Sequence, residues 1–417
     1  MDLFAIIALL VIVSAGYSYI NARFIKLPIT IGIMLIATVV SILIIVFDSV
    51  NPAFSKYLTS LARNIDFSEA VLNIMLGFLL FSGSFNIDAH KLKREMRPVL
   101  LLSTIGVMLS TAAFGGMFYG VMTLLHIKIP LLYCFLFGAL VSPTDAVAVS
   151  AIITKSKLPA HLETIITGES LFNDGVGLVM FITILELVQR NTMHVDISKT
   201  LLLFVREVFG GVGLGLICGY LVNRMMHSID DFQTIVLLSL GLVMGLSVMG
   251  TIWHLSVPLA VVSAGIINSI RSINSTKRET SHQSLERFWK LIDEILNTIL
   301  FVMIGLQIIE LPFLNNYWIT GTVSIVLILI ARWISIMIPL TFLRRSLNIN
   351  YSNVNILTWA GLRGGISIAL ALSLPHNHFR YVILAGAYFV VIFSVIVQGL
   401  SLNKLIGRSY KDVDPSI

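Results

Sequence analysis

The sequence predicts an all-α polytopic membrane protein, and three observations carry that prediction. Of 417 residues 57% are hydrophobic and only 12% charged, with a mean hydropathy of +0.92, far from the composition of a water-soluble globular chain. Apolar runs long enough to cross a hydrocarbon core of roughly 30 Å recur from end to end. The polar residues that interrupt those runs cluster at a few positions instead of scattering.

Reading the runs in order gives about thirteen spans: 3–22, 28–48, 70–86, 98–126, 130–153, 161–189, 200–226, 232–250, 252–271, 288–310, 317–342, 351–374 and 380–404. The first has no basic leader and no small-residue cleavage site, so it is expected to be a retained helix. The break near Met249 to Thr251 is read as one tight turn. A single integral domain over 1–417 is expected, with no appended module.

The net charge of +6 does not point to nucleic acid, because the placement of Lys and Arg explains it. Nineteen of the 28 fall in the odd-numbered loops and the C-terminal tail, and six in the even-numbered loops. This asymmetry predicts a cytoplasmic C-terminus and an outer N-terminus in the cytoplasmic (inner) membrane. The remaining three, Arg206, Arg332 and Arg363, fall inside spans. Cys134 and Cys218 are isolated thiols and suggest no disulfide framework.

The sixth span carries residues 168–174, Gly-Glu-Ser-Leu-Phe-Asn-Asp. Glu169 and Asn173 are i,i+4 neighbours, as are Ser170 and Asp174, so one helix offers carboxylate, hydroxyl and amide groups on two adjacent faces. Ionisable groups at membrane depth are costly unless paired or hydrated, which marks the cluster as an ion or proton site. In the fifth span Pro143 breaks the helix ahead of Thr144 and Asp145, freeing carbonyls that suit a hard cation. Pro143 alone would read as a kink; Asp145 two residues on makes the break functional. In the twelfth span Gly361-Leu362-Arg363-Gly364-Gly365 reads as a second broken helix holding a permanent cation. Arg332 lies too deep in the eleventh span to snorkel and calls for a partner inside the bundle. Glu186, Arg206, Glu207, Asp293 and Glu294 lie near span ends and are expected to face headgroups or cytosol or to line an ion funnel; Asn73, Gln307 and His254 are read as interhelical hydrogen bonders.

Together these motifs resemble the monovalent cation/proton antiporters of the sodium/hydrogen exchanger branch: Ser-Pro-Thr-Asp-Ala-Val-Ala-Val on the fifth span, Gly-Glu-Ser-Leu-Phe-Asn-Asp on the sixth, Ala-Arg on the eleventh and Gly-Leu-Arg-Gly-Gly on the twelfth. The resemblance implies two inverted six-helix repeats with crossed discontinuous helices. It implies a transport core over roughly 98–189 and 317–404, a dimerisation scaffold over 3–86 and 200–310, and a homodimer. By the same resemblance Asp174 is the principal sodium and proton ligand, Asp145 a second carboxylate, Ser170 a hydroxyl ligand and Thr144 a carbonyl ligand. Glu169 would pair with Arg332 and orient Asn173, and Arg363 would balance charge at the crossing.

The expected function is thus electroneutral exchange of Na+ for H+, without a cofactor. A potassium/proton antiporter is the rival within the class, since oxygen ligands suit either ion. The rival outside it is a membrane aspartyl hydrolase using Asp145 and Asp174 as a dyad, which gives Arg332 and Arg363 no role.

Overall fold

The computed structural model describes residues 3–48, 67–153, 156, 158–190, 197–270, 276–308, 317–347 and 349–410. In chain order the helices are α1 (Leu3–Ile20, prolonged by a π-helical turn Asn21–Ile25), α2 (Ile29–Asp48), α3 (Phe67–Phe85), the short α4 (Ala89–Arg94), α5 (Met96–Leu124), α6 (Leu131–Val141), α7 (Ala146–Ile153) and α8 (Ala160–Arg190). They continue with α9 (Ile197–Met226), α10 (Phe232–Ile252), α11 (Val257–Ser269), α12 (Thr276–Gln307), α13 (Tyr317–Leu347), α14 (Tyr351–Trp359), α15 (Gly365–Leu372) and α16 (His378–Ser409). No strand occurs among the described residues.

Among the described residues ten helices are long and apolar enough to cross a membrane, with α6 and α7 together making one crossing. The three other sequence-predicted spans fall on α11, which has 13 residues, on α12, whose amino-terminal half is polar, and on the broken pair α14 and α15. The turn expected at Met249 to Thr251 lies further on: α10 runs to Ile252 and the chain reverses through His254, held in the left-handed region at φ 52°. Two polar side chains also part from expectation: Asn73 and His254 are exposed and make no side-chain hydrogen bond among the described residues, while Gln307, read in the same way, is buried.

Apolar side chains gather into two clusters. One joins α1 and α2 to α5, α6, α7 and the helices from α13 onward; the other joins the end of α3 to α10, α11 and the start of α12. Leu72, Leu178 and Ile366 pack against both and mark the seam between them.

In the second cluster, α9 meets α11 along a stripe of small residues. A Cβ at Gly211 would stand 2.6 Å from the Ser256 carbonyl oxygen, and one at Gly219 would stand 2.8 Å from the Ala264 Cα. In lipid, where apolar burial gives no driving force between helices, such close backbone approach supplies the packing contact. Trp289 of α12 locks this half together. It is fully buried, its ring centroid 4.6 Å from that of Phe81 and its indole N–H donating to Ser239 Oγ at 3.2 Å.

Candidate ion site at the crossing of two broken helices

The site begins where two helices stop. α6 ends at Val141 and α7 begins at Ala146; α14 ends at Trp359 and α15 begins at Gly365. Proline at 143 has no N–H to continue the first helix. The two breaks are joined to each other, the Asp145 N–H donating to the Leu362 carbonyl at 2.7 Å. Both sequence-predicted interruptions are therefore present and in contact.

Each broken end is matched by charge. The carbonyls leaving α6 carry the negative end of its dipole, and there Arg363 Nη1 donates to the carbonyls of Ser142 at 2.5 Å and Pro143 at 3.0 Å. The exposed N–H groups opening α7 carry the positive end, and there Asp145 Oδ1 accepts from Val147 at 2.9 Å and Ala148 at 3.1 Å. The expected charge balance by Arg363 thus takes the form of a cap on α6. It occupies two successive carbonyls and leaves the next, that of Thr144, without a hydrogen bond among the described residues.

α8 supplies the facing wall. Asn173 Nδ2 donates to Thr144 Oγ1 at 2.8 Å, and Asn173 Oδ1 accepts from the Thr144 N–H at 3.2 Å. Thr144 Oγ1 lies 2.7 Å from Ser170 Oγ. Asn173 is therefore oriented by Thr144, and not by Glu169 as the resemblance implied. Glu169 is engaged elsewhere: Arg332 donates to it through Nη1 at 2.5 Å and Nη2 at 2.8 Å, with both side chains buried. Arg332 reaches the crossing as well, its Nε 3.0 Å from where a Cβ on Gly361 would stand.

Asp174 is the exception in this set. It is only 6% exposed, and its carboxylate accepts no hydrogen bond among the described residues. Asn173, Ser170, Thr144 and Arg363 already have hydrogen-bond partners, while Arg332 Nε is buried with none; a buried carboxylate left without a partner calls for a proton or a cation. Oxygen is the donor type a hard alkali cation takes, and Ser170 one turn away and the unused Thr144 carbonyl are of that type.

Sequence reading missed the second support of the crossing. The Arg363 N–H donates to Ser394 Oγ at 2.8 Å, Ser394 donates to Gln398 Oε1 at 2.6 Å, and Gln398 Nε2 donates to the Trp359 carbonyl at 3.2 Å. Ser142 is held likewise, donating to Ser110 Oγ at 3.0 Å. A glutamine inside an apolar run was a readable signal of an interhelical bond; the serines carried none.

Gly364 is required by proximity. A Cβ there would stand 2.7 Å from both Cβ and Cγ of Asp145, closer than packed atoms come. Gly364→Ala is expected to push the breaks apart, abolishing exchange and lowering stability by about 1–3 kcal/mol. Gly116→Ala, where a Cβ meets nothing within 4 Å, is the control. Equal thermal stability and transport of the two variants would refute this account of the crossing.

This arrangement coincides with a match of residues 6–406 to the profile described as "Sodium/hydrogen exchanger, transmembrane". The chain belongs to the sodium/hydrogen exchanger family. Among similar proteins, the Na(+)/H(+) antiporter NhaP of Pseudomonas aeruginosa is 38% identical over 413 residues, covering 97% of this chain and 96% of the relative. The Na(+)/H(+) antiporter NhaH of Halobacillus aidingensis is 30% identical, covering 98% of each. The solved structure of the sodium proton antiporter MjNhaP1 from Methanocaldococcus jannaschii at pH 8 superposes with a TM-score of 0.78 at 19% identity, over 97% of this chain and 99% of that one. That likeness establishes the exchanger fold, in which a multi-pass helical chain carries crossed discontinuous helices.

Proposed function

We propose that the chain is a secondary antiporter exchanging Na+ for H+ by alternating access, with Asp174 as the group at which the two ions compete. The observation that carries this reading is the unpartnered buried carboxylate of Asp174 beside the Ser170 hydroxyl, the unused Thr144 carbonyl and Asp145. The relatives named as Na(+)/H(+) antiporters, matched along nearly their whole length, support sodium as the cation. Asn173 before Asp174 leaves one carboxylate in the dipeptide and supports one-for-one, electroneutral exchange. Family membership gives the aspartyl hydrolase reading no support.

The lysine and arginine asymmetry supports a cytoplasmic-membrane location with the N-terminus outside. In this reading 98–189 and 317–404 form the moving core, 3–86 and 200–310 form the scaffold, and the scaffold dimerises. Reconstitution into liposomes with an imposed pH gradient tests the function. Adding Na+ is expected to collapse the gradient; collapse by K+ alone identifies a potassium antiporter, and collapse by neither cation defeats the reading.

Competition at one carboxylate predicts a further result. Each tenfold rise in proton concentration is expected to raise the apparent half-saturation concentration for Na+ in proportion, with no separate sensor required. Transport across a pH series at limiting and saturating Na+ checks this. A pH optimum that stays fixed as Na+ is varied would point to a pH switch elsewhere.

A further inference from the structure

One side of α16 grips the second break at both ends. The grip is centred on a π-helical turn at Phe393–Gln398 and continues one turn on at Ser401. Ser394 Oγ accepts the Arg363 N–H, and Gln398 Nε2 donates to the Trp359 carbonyl. The Trp359 indole N–H in turn donates to Ser401 Oγ at 2.9 Å. Ser394 and Gln398 are sealed from solvent, at 1% and 3% exposure, and are joined to each other by the bond from Ser394 to Gln398 Oε1.

Only one orientation of the Gln398 amide serves both of its bonds. Reversing it would set Oε1 against the Trp359 carbonyl oxygen, two acceptors with no proton between them. Held as it is, Oε1 takes the Ser394 proton and leaves the serine lone pairs to the Arg363 N–H. The main chain of Arg363 is thereby pinned on one side, while on the other its guanidinium caps α6 at Ser142 and Pro143. The next carbonyl is that of Thr144, which the exchange reading places at the cation. Gln398 bonds none of Asp145, Ser170, Thr144 and Asp174 among the described residues, so its influence on the site passes through Arg363.

We propose that Gln398 is a positioning residue that sets the affinity for Na+: through Ser394 it fixes the Arg363 main chain, and with it the guanidinium that holds the first break and the Thr144 carbonyl beyond. The inference rests on the exchange reading and extends the support of the cation site to α16. Loss of this support displaces a cation ligand and leaves Asp174, where the proton binds, untouched. Sodium affinity is therefore expected to fall by the same factor at every pH.

The test is sodium-driven proton transport by the full chain in liposomes across a pH series, for Gln398→Met, Ser394→Ala and Ser401→Ala. Methionine keeps the length of glutamine and makes neither bond. Gln398→Met and Ser394→Ala are each expected to raise the apparent half-saturation for Na+ by about three- to five-fold, the factor that one net hydrogen bond is worth. The rise is expected to be equal at each pH, with the maximal rate unchanged. Ser401→Ala releases the Trp359 ring but not the Arg363 N–H, and is expected to keep the wild-type half-saturation whatever it does to thermal stability. A lower maximal rate or lower heat stability with half-saturation unmoved would mark Gln398 as structural only and overturn the proposal. So would a shift in Ser401→Ala equal to that in Gln398→Met. Should the methionine variant fail to accumulate, Ser394→Ala is read by the same criteria. The Na+ concentration that protects the detergent-solubilised protein against heat gives a reading free of flux, and is expected to rise by the same factor in the same two variants. Absence of sodium-driven exchange in the wild type would defeat the exchange reading itself, a separate outcome.

Discussion

Asp174→Asn is expected to yield a folded, membrane-inserted protein that exchanges no sodium for protons. The substitution keeps the side-chain shape and removes the charge and the proton-accepting oxygen together. Because the carboxylate accepts no hydrogen bond among the described residues, nothing in the crossing is broken by the change. Removing an uncompensated buried charge leaves stability equal or higher. This outcome separates a transport residue from a structural one. A second readout is available without flux: a cation that binds only the folded wild type raises its thermal stability with concentration, and that dependence is expected to vanish in the variant. Near-normal sodium-driven proton flux in Asp174→Asn would end the assignment.

The opposite pattern is expected for Glu169 and Arg332. Their double hydrogen bond, at 2.5 and 2.8 Å between side chains 1% and 4% exposed, is sealed from water. Removing one partner strands the other as a buried charge, at a cost of about 3–5 kcal/mol. Glu169→Gln and Arg332→Gln are each expected to lower thermal stability in detergent well beyond Ser170→Ala, which removes one neutral hydrogen bond worth about 1 kcal/mol. The double variant is expected to lose less than the two single losses added together, since neither charge is then left alone. Arg332→Lys is not expected to restore the wild type, because a single ammonium cannot reproduce the two-pronged contact. Small, equal and additive losses would show that the pair contributes nothing to the fold.

The sequence announced those parts of the site whose chemistry is costly in lipid. Asp145, Glu169, Asp174, Arg332 and Arg363 stood out because a charge in an apolar run needs a reason. Pro143 and the 361–365 glycines likewise marked the two breaks through backbone chemistry alone. Which groups would meet was less legible. Nothing in residues 168–174 says that Asn173 turns to Thr144 while Glu169 turns to Arg332, since that depends on how α8 is rotated against α6 and α13. Ser394 and Gln398 escaped for a related reason: their role appears only when α16 lies beside the second break. Span ends blurred where apolar content and helix length part company, as in the polar first half of α12.

The bonds from Arg363 to Ser142 and Pro143 join residues 221 and 220 positions apart, and the Glu169–Arg332 pair spans 163. Contacts so distant along the chain form late, and the ribosome delivers the first half of the site well before the second. Until residues 332 and 363 arrive, Glu169 and the carbonyls of the first break have no counter-charge. A chain that stops before residue 332 thus holds one half of the crossing without the arginines that pair with it.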